Sequence, residues 1–326
     1  MLVLPLARER RDAAEAISAA RLLRTPLVHA SKLSNELDSE IRLKLECWQV
    51  TRSFKVRGAT AAVQRSPQGK VIVTASAGNH GLGLAYACTQ LGRAAEIFVP
   101  QRTDLAKVSA LRQFGGDIQI KLVDGTYDDT EVSAREAAAE PDRIFISSYN
   151  DDLVVAGQAT VAAEALDQWP EAEAVIVPVG GGGLLAGTAL SCAERGVAAW
   201  GVEPESSSAM TASLRAGGIT RIAAEQVTLA ESLVGNLDVD SITFPLVREH
   251  AAGILLATEE EIRNAVARIY AEEGIVVEPS AAIAIPRLAD VRNTGASRIV
   301  CVLTGSNVSP TTHFRIVSAR LPTNIS

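Results

Sequence analysis

A single lysine gives the first indication of what chemistry this chain could perform. Lys55 lies in TRSFKVRGAT (51–60), directly after Phe54 and two residues before Arg57. Burial beside an aromatic ring and a neighbouring positive charge both lower the pKa of an amine, and a partly neutral lysine is a nucleophile that can form a Schiff base. The alternative is an ordinary surface lysine at a helix start, and on these residues alone that interpretation is the stronger.

A run of four glycines, Gly180, Gly181, Gly182 and Gly183, predicts a phosphate site. The run joins the apolar stretch AVIVPV to the helix-like stretch LLAGTAL. Unobstructed backbone N–H groups at a helix N-terminus carry partial positive charge, which suits a phosphate. A tight strand-to-helix turn also needs glycine, but four in succession exceed what one turn requires.

A second strand-to-helix junction, SAGNHG (76–81), brings together polar side chains. Ser76, Asn79 and His80 supply a hydroxyl, an amide and an imidazole that could hold a carboxylate. Taken by itself, the loop fits equally well the alternative that these three side chains only cap the helix. The glycine spacing does not reproduce GxGxxG, and no acidic residue ends the next strand, which argues against a dinucleotide site.

Composition and spacing argue against several other classes of protein. The net charge is −7 and no basic stripe is present, so no nucleic-acid partner is expected. The four histidines lack metal-ligand spacing, so no metal site is expected. No GxSxG motif of a serine hydrolase is present.

The chain also lacks the marks of a secreted or membrane protein. No apolar run predicts a membrane span, and the N-terminus does not resemble a secretory signal. The four cysteines are scattered without CxxC spacing, which fits buried thiols in a reducing cytoplasm. We therefore expect a cytoplasmic protein without a membrane partner.

Strand-like apolar runs alternate with helix-like segments, which predicts parallel sheets. The predicted strands are KVIVT (70–74), AEIFVP (95–100), IQIKLV (118–123), RIFISS (143–148), AVIVPV (174–179), AAWGVE (198–203) and RIVCVLT (298–304).

A helix is predicted within TDLAKVSALRQFGG, with Thr103 as its cap and Gly115 and Gly116 at its end. Ligands in open α/β sheets bind beyond the carboxyl ends of the strands. The loops SAGNHG, GGGG and TGSN (304–307) are therefore the candidates for a binding site.

A lysine, a phosphate loop and a carboxylate loop together suit pyridoxal phosphate and an amino acid. The motifs SFKVRGA, SAGNHG, VVAGQATVAAE, PVGGGGLLAG, GVEPES, TFPLVRE, VVEPSAA and LTGSN occur in the order found in fold type II pyridoxal-phosphate enzymes. The chain most closely resembles their serine/threonine dehydratase and serine racemase branch. The resemblance covers nearly the whole chain.

The resemblance implies a role for each cofactor-binding residue. Lys55 would form the Schiff base with pyridoxal 5'-phosphate and later move the Cα proton, with Phe54 beside the cofactor ring. Asn79 would hydrogen-bond the ring hydroxyl, and Thr304 would face the pyridine nitrogen. The residues implied for the phosphate are Gly180, Gly181, Gly182, Gly183 and Leu184.

The resemblance also implies a substrate site. Ser76, the Gly78 amide and His80 would bind the substrate carboxylate, and Tyr149 is a candidate substrate contact. A neutral hydroxyl at Thr304 cannot keep the pyridine nitrogen protonated as an aspartate would. The weaker electron sink that results favours elimination of a β-hydroxyl over transamination.

Two departures from the branch narrow the expected chemistry. Ala77 stands where the racemases have a serine that acts as acid and base, so we expect little racemisation. Ala209 stands where the branch has an aspartate, six residues after a glutamate like Glu203, so we expect no metal requirement.

Two further departures lie near the expected pocket. The segment LAESL (229–233) replaces a frequent Asp-Gly pair, and Arg52 replaces a common glycine. They could indicate a bulkier or acidic 3-hydroxy amino acid, contacted by Arg52 and Tyr149. At least as good an interpretation is that Arg52 faces solvent and Tyr149 packs.

The fold that the resemblance implies has two open parallel-sheet α/β domains of the tryptophan synthase β type, with the cofactor in the cleft between them. Residues 1–62 and 149–326 would form the large domain, and 63–148 the small inserted domain. A homodimer is expected. The chain ends soon after its last motif, so we expect no regulatory domain and a catabolic role.

The expected activity is β-elimination of L-threonine or L-serine to a 2-oxo acid and ammonia. The alternatives are dehydration of 3-hydroxyaspartate or 3-phenylserine, serine racemisation, and β-replacement, which would need a second nucleophilic substrate. A catalytically silent binding protein is a further alternative, but such a protein would have no need of Lys55.

Overall fold

The protein is described from a computed structural model. The structure describes residues 13, 16, 17, 20–223 and 227–320. The chain divides into two compact units. The first comprises residues 1–23 and 49–160, and the second comprises residues 24–48 and 161–326.

Each unit contains one β-sheet, and helices follow most of the strands. The strands are β1 (Leu27–His29), β2 (Glu40–Lys44), β3 (Val71–Ala75), β4 (Ala95–Pro100), β5 (Ile118–Val123), β6 (Arg143–Phe145), β7 (Ala174–Pro178), β8 (Ala198–Pro204), β9 (Gly253–Ala257) and β10 (Arg298–Val302).

The described helices are numbered in chain order. They are α1 (Ser31–Leu37), α2 (Lys55–Arg65), α3 (Asn79–Gln90), α4 (Leu105–Arg112), α5 (Tyr127–Ala137), α6 (Asp152–Gln168), α7 (Gly183–Ala193), α8 (Ala209–Ala216), α9 (Thr243–His250), α10 (Glu259–Glu273), α11 (Pro279–Ala282), α12 (Leu288–Arg292) and α13 (Pro310–Ser318). Short 3-10 helices are formed by Glu46–Trp48, Glu231–Leu233 and Ile285–Arg287.

The sheet of the first unit has the order β5-β4-β3-β6, and all its pairings are parallel. From β3 the chain continues to β4 on one side, whereas β6 lies on the other side. The strand order therefore reverses between β3 and β6, and such a reversal opens a crevice at the carboxyl ends of the two strands. The core beside this sheet includes Ile72, Leu84 and Ile97.

The sheet of the second unit has the order β1-β2-β10-β7-β8-β9. Only the β1–β2 pairing in this sheet is antiparallel. Here the strand order reverses between β7 and β10, which places the second crevice at their carboxyl ends. Every residue of β7 is buried, as expected for a central parallel strand with both faces covered.

The predicted fold class is confirmed: both units are α/β with an essentially parallel sheet. Strands β4 and β5 have the predicted bounds, whereas β6 ends at Phe145 rather than at residue 148. The predicted cap of α4 was wrong by one residue. The Asp104 carboxylate, not the Thr103 hydroxyl, accepts the Ala106 N–H at 2.7 Å.

The predicted domain bounds stay a prediction. The compact units group residues 49–62 and 149–160 with residues 63–148, whereas the sequence placed these two stretches in the large domain. The boundary between the units falls inside α6.

Among the residues that the structure describes, none of the helices combines the length and the apolar character needed to cross a membrane.

Candidate active site

Lys55 is the first residue of α2, and its amine lies near an aromatic ring and a backbone carbonyl. Its Nζ donates a hydrogen bond to the Ser148 carbonyl oxygen at 2.9 Å and lies 5.5 Å from the centroid of the Phe54 ring. The residue is half-buried. The amine is thus held by the segment that follows β6, unlike that of a surface lysine extended into solvent.

Close backbone packing fixes the start of α2. A Cβ added to Gly83 of α3 would lie 2.9 Å from the N and Cα atoms of Val56, the residue after Lys55. A Cβ on Gly157 of α6 would lie 2.6 Å from the Arg57 carbonyl oxygen. Real Cβ atoms do not approach backbone this closely, so glycine is required on both sides of α2. These contacts hold the lysine helix in place.

The predicted carboxylate loop runs from the end of β3 into α3. Gly78 precedes α3, and no side chain caps the start of the helix. The Gly78 N–H donates to the Ser76 hydroxyl at 3.3 Å, and the half-buried Asn79 is the first helical residue. A Cβ on Gly81 would lie 2.1 Å from the Ser76 carbonyl oxygen, so the tight loop also needs glycine there.

His80 is buried, and one of its ring nitrogens faces a backbone carbonyl. Its Nε2 lies 3.4 Å from the Ile146 carbonyl oxygen, which assigns the proton to Nε2 because a carbonyl can only accept. The buried Nδ1 has no hydrogen-bond partner among the described residues. Burial, and secondly the Lys55 charge, lower the pKa of His80 to about 3. The ring is therefore neutral near pH 7, with Nδ1 as an acceptor.

The structure brings the predicted residues of the first unit together where β3 and β6 end. Lys55 binds the Ser148 carbonyl and His80 faces the Ile146 carbonyl, both on the segment after β6. The half-buried Tyr149 follows on that segment, and its N–H lies 3.4 Å from the Ser147 hydroxyl. This grouping lies at the crevice that the strand order predicts.

The glycine run of the second unit joins β7 to α7. Gly182 has a φ of 86°, in the left-handed region that favours glycine, and helix α7 begins at Gly183 with no side-chain cap. Its first turn contains no acidic residue, and Leu184 is buried. An uncapped helix N-terminus of this kind suits an anion.

Two of the glycines also have a packing reason. A Cβ on Gly182 would lie 2.6 Å from Met210 Cε and 3.0 Å from Thr243 Oγ1. A Cβ on Gly180 would lie 3.2 Å from the Cα atom of Leu233, in the segment LAESL. The segment LAESL therefore borders the glycine loop.

Thr304 follows β10, the neighbour of β7, and is buried. The next residue, Gly305, lies against a carboxylate, because its added Cβ would be 2.7 Å from Glu278 Oε1. The Glu278 N–H donates to the Gly305 carbonyl, and Glu278 Oε2 accepts the Asn307 N–H at 3.0 Å. Glu278 thus holds the backbone that follows Thr304.

Glu203, near the end of β8, accepts hydrogen bonds from the start of α8. Its carboxylate accepts the Met210 and Thr211 N–H groups at 2.9 and 2.8 Å and the Thr211 hydroxyl at 2.6 Å. Burial raises its pKa, and these hydrogen bonds oppose that shift. Glu203 therefore caps the start of α8. No group of three or more metal-binding side chains was found among the described residues.

Arg52 has a φ of 56°, a conformation that costs an L-residue about 1 kcal/mol and that glycine adopts freely. This explains in physical terms why glycine suits this position of the lysine motif. Arg52 is exposed, which fits the interpretation that it faces solvent.

Some groups that shape the site could not be predicted from residue types. The carbonyls of Ser148 and Ile146 contact Lys55 and His80, but a backbone carbonyl leaves no trace in residue type. Thr243 lies in the motif TFPLVRE, whose residue types do not indicate a role for its hydroxyl.

Comparison with known families places this site in context. Residues 20–305 match the family model described as pyridoxal-phosphate dependent enzyme. L-threonine ammonia-lyase of Geobacter sulfurreducens is 35% identical over 295 residues, which cover 88% of this chain and 72% of that protein.

Two solved structures are also similar. The processed form of threonine deaminase isoform 2 from Solanum lycopersicum aligns with a TM-score of 0.89 and 30% identity, over 97% of this chain and 93% of that one. Serine racemase from Dictyostelium discoideum aligns with a TM-score of 0.82 and 27% identity, over 92% of this chain and 98% of that one.

Proposed function

Because the chain belongs to the family of pyridoxal-phosphate dependent enzymes, we propose that it is an ammonia-lyase that converts L-threonine or L-serine to a 2-oxo acid and ammonia. The observation that carries this proposal is the placement of the Lys55 amine 2.9 Å from the Ser148 carbonyl, beside the loop 76–81. An amine in that position can bind the cofactor and then act on a substrate held by the loop.

The described residues fit pyridoxal phosphate. The start of α7, without a side-chain cap or an acidic residue in its first turn, suits the phosphate. The half-buried Lys55 suits the aldehyde, with Phe54 beside the ring. The residues that we assign to the cofactor are Phe54, Lys55, Asn79, Gly180, Gly181, Gly182, Gly183, Leu184 and Thr304.

The cofactor, when bound, supplies the electron sink that makes the Cα proton of an amino acid acidic. The chain supplies the base: Lys55 takes the Cα proton, and the Ser148 carbonyl orients its amine. The neutral hydroxyl of Thr304 matches a weak electron sink, so loss of the β-hydroxyl is favoured over transamination.

For the substrate carboxylate we assign Ser76, Gly78, Asn79 and the backbone of His80. A carboxylate needs hydrogen-bond donors, and the neutral His80 ring offers only Nδ1, an acceptor, because its Nε2 faces the Ile146 carbonyl. The His80 N–H, in the first turn of α3, is the better donor. Tyr149 remains a candidate contact for the substrate side chain.

The test is release of 2-oxo acid and ammonia by the purified protein. The substrates are L- and D-serine, L-threonine, 3-hydroxyaspartate and 3-phenylserine, with Lys55→Ala as the inactive control. Release from L-threonine or L-serine that disappears in Lys55→Ala supports the proposal. If the wild-type chain binds the cofactor and releases product only from 3-hydroxyaspartate or 3-phenylserine, the alternative dehydratase is the correct function.

Serine racemase activity is the second candidate, supported by the similar fold of a serine racemase. Ala77 argues against serine racemase activity, because its methyl group cannot give a proton to the opposite face of Cα. Equal rates of racemisation and deamination on L-serine would overturn our preference for the ammonia-lyase.

β-Replacement is the remaining enzymatic alternative. If neither racemisation nor deamination occurs but a thiol or sulfide replaces the β-substituent, β-replacement is the function.

The expected homodimer, the cytoplasmic location and the catabolic role stay predictions. Four buried free cysteines fit a reducing compartment. Light scattering of the purified chain would give its oligomeric state.

A further inference from the structure

The hydroxyl of Thr243 binds one peptide group of the glycine loop. Thr243 is the first residue of α9 and is fully buried. Its Oγ1 donates to the Gly181 carbonyl oxygen at 2.7 Å. The contact joins α9 to the loop between β7 and α7.

A second hydroxyl supports the first. Ser241 Oγ lies 2.8 Å from Thr243 Oγ1 and is also buried. A threonine hydroxyl has one hydrogen, and Thr243 uses it on the Gly181 carbonyl, which can only accept. Ser241 must therefore be the donor to Thr243, and the two hydrogen bonds form a directed chain that polarises each member.

This chain fixes the direction of a loop amide. In a planar trans peptide the C=O and the N–H point in opposite directions. Because the Gly181 carbonyl points at Thr243, the N–H of Gly182 points away from Thr243. Gly182 precedes α7 directly and has a φ of 86°, and a Cβ there would lie 3.0 Å from Thr243 Oγ1. Only glycine allows the hydroxyl to approach this peptide.

We propose that Thr243 is a positioning residue for the phosphate group of the cofactor, acting through the Gly181–Gly182 peptide. It holds the Gly182 N–H in the orientation that a phosphate at the start of α7 requires. The inference rests on the proposed function, specifically on phosphate binding by the glycine loop.

The test compares two ligands that differ only in the phosphate. The whole chain studied, freed of cofactor, is titrated with pyridoxal phosphate and with pyridoxal, and binding is followed by protein fluorescence. Thr243→Val removes the hydroxyl at constant shape and leaves the carbonyl without its donor. We expect it to raise the dissociation constant of pyridoxal phosphate about tenfold. The dissociation constant of pyridoxal should stay unchanged, and Thr243→Ser should behave like the wild type for both ligands.

Different failures have different meanings. If the wild type binds both ligands equally, phosphate binding by the loop is wrong, and the inference falls with it. If the wild type prefers pyridoxal phosphate and Thr243→Val keeps that preference, or loses affinity for both ligands alike, only the role of Thr243 is wrong. Should Thr243→Val fail to fold, Ser241→Ala replaces it. That variant should weaken pyridoxal phosphate about threefold and leave pyridoxal unchanged, and an unchanged affinity for pyridoxal phosphate contradicts the inference.

Discussion

His80 links the charge state of one buried residue to the stability of the protein. Its pKa is about 3 in the folded chain, below the ordinary value of 6.5, because burial and the Lys55 charge disfavour the imidazolium ion. The unfolded chain therefore binds a proton that the folded chain excludes between pH 6.5 and 3. Stability is full above this window and falls as the pH drops through it.

We predict that the free energy of unfolding falls by about 2 kcal/mol from this residue alone between pH 7 and pH 5. Urea unfolding at both pH values measures the loss. The variant His80→Gln does not titrate and should lose about 2 kcal/mol less than the wild type over the same range. His29→Gln, a change of an exposed histidine, is the matched control for the effect of the substitution itself. Equal slopes for His80→Gln and the wild type would contradict a neutral buried ring.

The residue types predicted the chemistry of the site, but they did not predict the geometry on which that chemistry depends. Lys55 and His80 could be selected from the sequence because their side chains are reactive and lie in glycine-containing motifs. The ring nitrogen of His80 that carries the proton depends on the Ile146 carbonyl, 66 positions away in the chain. Such a partner results from the parallel pairing of β3 with β6, so only the structure could assign it.

At the scale of the helices, the close contact of α3 with α2 leads to a specific prediction for the substitution Gly83→Ala. Gly→Ala inside a helix normally stabilises by up to about 1 kcal/mol. At Gly83 the new Cβ would meet the backbone of Val56 at 2.9 Å, so we expect Gly83→Ala to destabilise by about 1–3 kcal/mol instead. The start of α2 must also shift, which moves Lys55 away from the Ser148 carbonyl. Thermal unfolding and turnover at a temperature where the variant is folded measure the two effects.

Gly218→Ala is the control, because a Cβ there meets nothing within 4 Å. It should leave turnover unchanged. If Gly83→Ala is as stable and active as the wild type, the close approach of α3 to α2 is not what fixes the lysine.

Element prediction succeeded where burial leaves a clear pattern. β4 and β5 were predicted to the residue because β-branched and apolar residues run between turn signals. β1, β2 and β9 were not predicted. β2 alternates charged and apolar residues over only five positions, and β1 has three residues. Their strand conformation comes from pairing with neighbours in the sheet, which sequence periodicity does not record.

For the whole molecule, motif order predicted the fold class correctly, whereas the bounds of the compact units came only from the structure. The stretch 149–160 packs with the first unit although α6 continues into the second. A helix with one continuous apolar pattern gives no sign of where such a boundary falls.

The four cysteines report on unfolding of the whole chain. Cys47 and Cys301 lie in the second unit and Cys88 lies in the first. Burial raises the pKa of each of these thiols, and that of the Cys192 thiol, from 9.0 to about 12. Between pH 9 and 12 the unfolded chain therefore releases protons that the folded chain retains. Stability from the buried thiols is full below pH 9 and is lost as the pH rises.

We predict a loss of about 1.4 kcal/mol per thiol, or about 6 kcal/mol for the four, in the free energy of unfolding between pH 7 and pH 10. Urea unfolding at several pH values measures the slope, and Cys301→Ala should reduce the loss by about a quarter relative to the wild type. A thiol reagent should label none of the four in the native chain and all four in denaturant. Labelling of any thiol in the native chain at the rate of a solvent-exposed cysteine would contradict the prediction. An unchanged slope in Cys301→Ala would contradict it too. Either result would show that the thiols titrate in the folded chain and that the cores of the units admit solvent.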